Sequence, residues 1–195
     1  METLIDGVPG FHDLFQLGKI NHLATDNGEF APYDRVIVDT PATGHAATLF
    51  SAASSIRDMT RVGLVYDEAK QMADVLVNPE MTNTIVVTYP EALPIQETIE
   101  FIRNRAPDHP HIGGVIINRC MEGILVDENE WESISKSFSN KPELARVAEL
   151  WHSTLIAQKE HIELLKSEIP QEVYLATVLE SNDGFDGLKL NEVRK

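Results

Sequence analysis

Cysteine is nearly absent from this chain. Cys120 is the one thiol among 195 residues, so no disulfide can form within the chain and no zinc site can be built from several of its thiolates. A solitary cysteine is more often a small buried hydrophobe than a reactive thiol. Bases are scarce as well: 16 Lys and Arg stand against 31 Asp and Glu, a formal net charge of −15. That balance argues against duplex nucleic acid and against an anionic membrane surface as direct partners. It leaves nucleotides open, because phosphates are held by a few local groups. No run approaches the ~18 apolar residues that cross a bilayer, and stable membrane insertion is not expected. The opening residues, METLIDGVPG, carry acids where a signal peptide carries bases, so a cytoplasmic location is the expectation. A phosphate-binding GxxxxGK[ST] loop is missing too. The only Gly-Lys pair, Gly18-Lys19, is followed by Ile20, and Asp13 stands where the first glycine belongs.

What is present is a globular composition, 43% hydrophobic, at a length that suits one domain with a real core. Four Val/Ile-rich runs read as strands: RVIVD (35–39), NTIVVTY (83–89), IGGVIINR (112–119) and EVYLATV (172–178). Each is nearly continuous rather than alternating, which predicts strands covered on both faces. Helical spacing marks residues 10–23, where Phe11, Leu14, Phe15 and Leu23 recur, and predicts one long helix over 54–77. A third helix is predicted over 94–105, with Pro94 near its start. The fourth, over 141–166, aligns Leu144, Val147, Trp151, Leu155, Ile162 and Leu165 on one face. The acidic stretch 121–140 reads as a flexible insertion. Strands alternating with helices predict an α/β fold with a mainly parallel sheet and helices on both faces.

In such sheets ligands bind at the carboxyl ends of the strands. Those ends carry Asp39 with its loop, Thr88-Tyr89-Pro90-Glu91, Asn118-Arg119, and the segment after Val178. The most distinctive stretch is YDRVIVDTPATGH (33–45), an apolar run closing on a carboxylate and followed by Thr40, Pro41, Gly44 and His45.

That stretch resembles the strand and switch loop of the anion-transporting ATPases, the group of the arsenite pump and the tail-anchored-protein targeting factors. The resemblance extends to PGFHDLFQLGKINHL, to RVGLVYDEAKQMADVLVNPEMTNTIVVTYPEALPIQETIEFI, to GGVIINR and to DGFDGLKLNEV, in the family's order. It implies a P-loop NTPase-like fold of the SIMIBI type that lacks its N-terminal P-loop strand, a single α/β domain over 1–195 with a helical region at 46–78. Asp39 would be the Walker-B-like carboxylate that holds the water shell of Mg²⁺, a role suited to a hard cation that keeps its waters. Residues 40–45, Thr40, Gly44 and His45 among them, would form the switch II loop that senses the γ-phosphate, with Gly44 lending flexibility. Asn118, with Arg119 beside it, would read adenine through an amide that both donates and accepts. Pro90 and Glu91 would flank the base. ATP or ADP and Mg²⁺ would bind only if a partner, or further polypeptide, supplies the P-loop. The implied partners are a second copy or a P-loop-bearing ATPase subunit, with a hydrophobic client.

The family's metalloid-binding cysteines and its zinc Cys-x-x-Cys have no counterpart here. Plainer readings stand beside the sharper ones. Asp39 could cap a turn, His45 could be a solvated loop residue, and Asn118 could cap the following element. Met59, Met72 and Met81 could line a client groove but are more often ordinary packing. His109 and His111 lack an evident third ligand and read as a surface loop. Two functions follow: an ATPase part that needs a P-loop supplied to it, and a P-loop-free scaffold or interaction module without nucleotide chemistry.

Overall fold

The computed structural model describes residues 11–25, 33–40, 43–123, 125–180 and 190–194. Its elements run α1 (Phe11–Thr25), α2 (Thr43–Thr60), α3 (Leu64–Val77), β1 (Asn83–Thr88), α4 (Ala92–Arg103), β2 (His111–Cys120), α5 (Glu128–Ser137), α6 (Pro142–Glu168), β3 (Tyr174–Leu179) and β4 (Leu190–Arg194). The architecture is α/β: a sheet of order β1-β2-β3-β4, with three parallel strands flanked by helices. β4 adds to β3 in the antiparallel sense. The chain divides into two compact units, residues 1–84 with 105–111 and residues 85–104 with 112–195.

The first unit is helical. Leu17 of α1, Leu49, Ala52 and Ala53 of α2, and Met72 and Ala73 of α3 form its core, with Leu14 and Leu76 packed at the edge. The alanines let the helix axes approach closely, and Gly18 extends this, since a Cβ there would sit 3.3 Å from Met72 Cε. The predicted helix over 54–77 is in fact two helices. Arg61 at φ 60° and Gly63 at φ 94° take left-handed backbone that cannot continue an α-helix, and α3 begins after them.

The second unit carries most of the sheet. Ile95, Ile99 and Ile102 of α4 pack with Ile112, Val115, Ile117 and Cys120 of β2, Leu175 of β3 and Leu165 of α6. Among the described residues twelve join this buried cluster; burying one Leu or Ile side chain stabilises by about 1.5–3 kcal/mol, which makes it the main support of the strands.

Four further expectations are corrected. Residues 35–40 are not a strand: they pair with no neighbour among the described residues, and Ile37 is 95% exposed. An apolar sequence favours a strand, but a strand also needs a partner for its backbone groups. β1 is not covered on both faces either. Val86 and Thr88 face the core, while Ile85 and Val87 are 59% and 61% exposed. The acidic insertion contains α5, started by a capping box in which Asp127 accepts from Asn129 and Glu130 backbone N–H groups and Glu130 reaches back to Asp127 N. On α6, Leu155 and Leu165 are buried and Ile162 packs on the core, but Leu144, Val147 and Trp151 at the amino-terminal end are exposed.

Candidate functional site

The candidate residues fall into two groups, one in each unit. In the second unit, β1 and β2 end side by side, and their carboxyl ends bring Tyr89, Pro90, Asn118 and Arg119 onto one rim. The register between β2 and β3 slips between Ile117 and Cys120, so Asn118 and Arg119 form a bulge. Bulges re-aim side chains at strand ends. Arg119 sits at φ 55°, a left-handed conformation that a non-glycine residue adopts at a cost. Two contacts stabilise it: Asn118 Oδ1 accepts from Arg119 N at 2.9 Å, and the Arg119 guanidinium lies 5.4 Å from the Tyr89 ring centroid, over its face.

Asn118 is half-buried, and its amide nitrogen makes no hydrogen bond to the described residues. It therefore keeps two N–H donors and one oxygen lone pair for a ligand. Pro90 is half-buried and Glu91 is exposed at the start of α4, where Glu91 O accepts from Ile95 N at 3.1 Å. A flat edge with a donor and an acceptor, an aromatic ring and a guanidinium can hold a planar heterocycle.

In the first unit, Asp39 and Thr40 lie outside any helix or strand, unpaired among the described residues, and are exposed. The Asp39 carboxylate makes no hydrogen bond or ion pair to the described residues, which leaves its oxygens available to a hydrated cation. No cluster of three metal-ligating side chains occurs among the described residues. Gly44 and His45 are exposed in the first turn of α2 rather than in a loop, and Thr48 Oγ1 donates to Gly44 O at 3.3 Å. A Cβ at Gly44 would meet nothing within 4 Å, so no crowding requires glycine there.

The chain matches no protein-family model. Over 113 residues, 57% of its length, it is 34% identical to ATPase BagA of Mycobacterium tuberculosis, and the match covers 33% of that protein. It is 26% identical over 153 residues to the ATPase ASNA1 homolog of Entamoeba dispar, a match that covers 62% of this chain and 46% of the relative. The chain is related, over part of its length, to the anion-transporting ATPases. It spans between a third and a half of the length of these relatives.

One polar cluster lies outside every position that the resemblance to these ATPases brings forward. His109, read as a surface residue, is buried at 8% exposure. Its Nε2 lies 2.9 Å from Ser51 Oγ, its ring meets Phe50 edge-on, and its carbonyl accepts from Arg105 Nη1 at 2.7 Å. Beside it Ser54 Oγ donates to Asp108 Oδ2 at 2.5 Å, and this hydroxyl holds the Asp108 carboxyl below its ordinary range. The cluster fastens the 105–110 segment to α2. No local pattern could reveal it, because its partners are separated by more than 50 residues.

Proposed function

We propose that this chain is the switch and base-binding part of an anion-transporting-type ATPase. Its phosphate cradle would come from polypeptide outside these 195 residues, whether continuous with them or in a partner subunit. The observation that carries the reading is the Asn118–Arg119 bulge beside Tyr89-Pro90: a costly backbone conformation at a strand end, with an uncommitted amide at half-burial. Its support is the ATPase relatives that the chain matches in part.

In this reading Asn118 pairs with the edge of adenine, Tyr89, Pro90 and Arg119 bound the ring, and Glu91 stands at the rim. Asp39 orients the water shell of Mg²⁺ when ATP is bound, and the cation supplies neutralisation of the β- and γ-phosphate charge. Thr40 and the first turn of α2, with Gly44 and His45, sense the γ-phosphate. Their movement would pass to α2, α3 and the turn between them, where exposed Met59, Val62 and Leu64 offer apolar surface to a hydrophobic client. The unpaired backbone of 35–40 and the open side of β1 favour association with a second copy or with the P-loop polypeptide. The setting of this chemistry is the cytoplasm.

The test is a titration of the isotope-labelled chain with ADP and GDP, followed by amide shifts. ADP at millimolar concentration should shift Tyr89, Asn118 and Arg119, and Asn118→Ala should weaken its binding by roughly 1–3 kcal/mol. Equal binding by wild type and Asn118→Ala would refute the adenine role. Within these residues the absence of GxxxxGK[ST] favours a second reading, a scaffold without nucleotide chemistry, and shift changes with neither nucleotide would support it.

A further inference from the structure

Two polar side chains of α6 reach the backbone of the two segments that carry the base-binding residues. Gln158 grips both sides of Met121: its Oε1 accepts from Met121 N at 2.7 Å, and its Nε2 donates to Met121 O at 3.2 Å. One turn further, His161 Nδ1 lies 3.1 Å from Pro90 O. A carbonyl oxygen only accepts, so this contact needs the proton on Nδ1. One turn before Gln158, Leu155 presses against Gly123 so closely that a Cβ there would lie 2.5 Å from Leu155 Cδ1. Residues 155, 158 and 161 recur every three positions and share one helix face.

The placement of these contacts is informative. Met121 directly follows β2, where its backbone groups would otherwise lack a ladder partner, and Gln158 supplies both a donor and an acceptor to it. Cys120, between Arg119 and Met121, has its carbonyl taken by Glu180 N at 2.8 Å. The Asn118–Arg119 bulge therefore stands between the paired part of β2 and a backbone clamp. On the neighbouring loop, His161 holds the carbonyl of Pro90, the residue after Tyr89. A fixed helix face thus sets the spacing between the rim's two halves.

We propose that Gln158 and His161 are positioning residues for nucleotide-base recognition. They hold the Tyr89-Pro90-Glu91 loop and the Asn118–Met121 strand end in register, and the preference for adenine over guanine depends on that clamp. This rests on the reading that Asn118 contacts the base.

The experiment measures ADP and GDP binding to the full 195-residue chain and to Gln158→Leu, His161→Ala and His161→Asn, with hydrogen exchange at Met121 and thermal unfolding alongside. Gln158→Leu removes both hydrogen bonds at similar volume and should reduce the ADP-over-GDP preference about tenfold, with faster exchange at Met121. His161→Ala should do the same to the preference, while His161→Asn, whose amide N–H can replace Nδ1–H, should restore it. A purely stabilising role would lower the unfolding temperature and leave the preference intact. An unchanged preference in folded Gln158→Leu and His161→Ala overturns the clamp alone. Failure of the wild-type chain to distinguish ADP from GDP overturns the base-site reading and the clamp's role with it. The two substitutions act on separate loops, so a folding failure in one leaves the other to decide.

Discussion

Ile85→Lys combined with Val87→Lys should strip this chain of its capacity to associate through β1. Both residues lie on the uncovered face of the sheet's terminal strand, at 59% and 61% exposure, while Val86 and Thr88 hold the opposite face in the core. Fully burying an Ile or Val side chain stabilises by roughly 1.5–3 kcal/mol, so the exposed fraction of each leaves roughly 1–2 kcal/mol to be gained on covering it. A partner that covers both gains roughly 2–4 kcal/mol, equivalent to about 30- to 1000-fold in the dissociation constant. The substitutions leave the strand's buried side chains and its backbone pairing to β2 untouched, so the fold should survive. Sedimentation equilibrium on the wild-type chain at micromolar concentration should show an oligomer, and the double variant should be monomeric. Hydrogen exchange on 35–39 should be fast in the monomer and slow in the assembly. A wild-type chain that stays a compact monomer with 35–39 strongly protected would refute the reasoning, because those backbone groups would then already be paired within one chain. So would a double variant that associates as tightly as wild type.

Other outcomes follow from the packing. Ser54→Ala should destabilise the fold by roughly 1 kcal/mol at neutral pH, because the hydroxyl stabilises a charged carboxylate. Since the Asp108 carboxyl is held below its ordinary 3.8 by that bond, its contribution is present above this value and lost as pH falls below it through the folded-state range, so the stabilities of wild type and variant from urea titrations should converge as the pH is lowered through that range. Burial raises the Cys120 thiol from 9.0 to about 11, so this group's contribution holds below pH 9 and is lost as pH rises towards 11. Cys120→Ala should therefore flatten the alkaline limb of the stability profile, and native Cys120 should resist thiol reagents at mildly alkaline pH. Gly123→Ala should cost roughly 1–3 kcal/mol through its clash with Leu155, and Leu155→Ala in the same chain should recover part of that loss, as a double-mutant cycle would show.

Strands that carry their own neighbours were legible in the sequence. The run at 112–119 is continuous in Val and Ile, and it became β2, buried between α4, α6 and β3. The run at 35–39 has the same local character without a partner among the described residues, and no periodicity can reveal whether a neighbour exists. β4 escaped notice because LNEVR alternates with polar residues and pairs on one side only. The break at Arg61–Gly63 and the capping box of α5 were both readable, through a glycine in the middle of a helical pattern and an acid three residues after Asp127. Asn118 and Arg119 could be placed at a strand end from sequence. Their bulge could not, since it arises from register with β3.

These mismatches are not scattered at random. A sequence specifies a structure when local preference and tertiary environment agree, and conflict concentrates where something other than stability is being selected. Ile37 prefers a buried strand and stands in solvent, two residues from the Asp39 carboxylate. Ile85 and Val87 prefer cover, and their strand leads directly into Tyr89 and Pro90. Arg119 prefers negative φ and is held at 55°, next to the amide proposed to read adenine. Three conflicts of different kinds (an unpaired segment, an uncovered face and a left-handed backbone) thus fall beside the residues proposed for chemistry. A scaffold without nucleotide function has no reason to keep Arg119 in that conformation: glycine there would remove the backbone cost and forfeit only the contact with Tyr89. Arg119→Gly should therefore raise stability or leave it unchanged while weakening ADP binding, and a variant that loses stability yet binds ADP normally would assign the bulge to the fold rather than to a ligand.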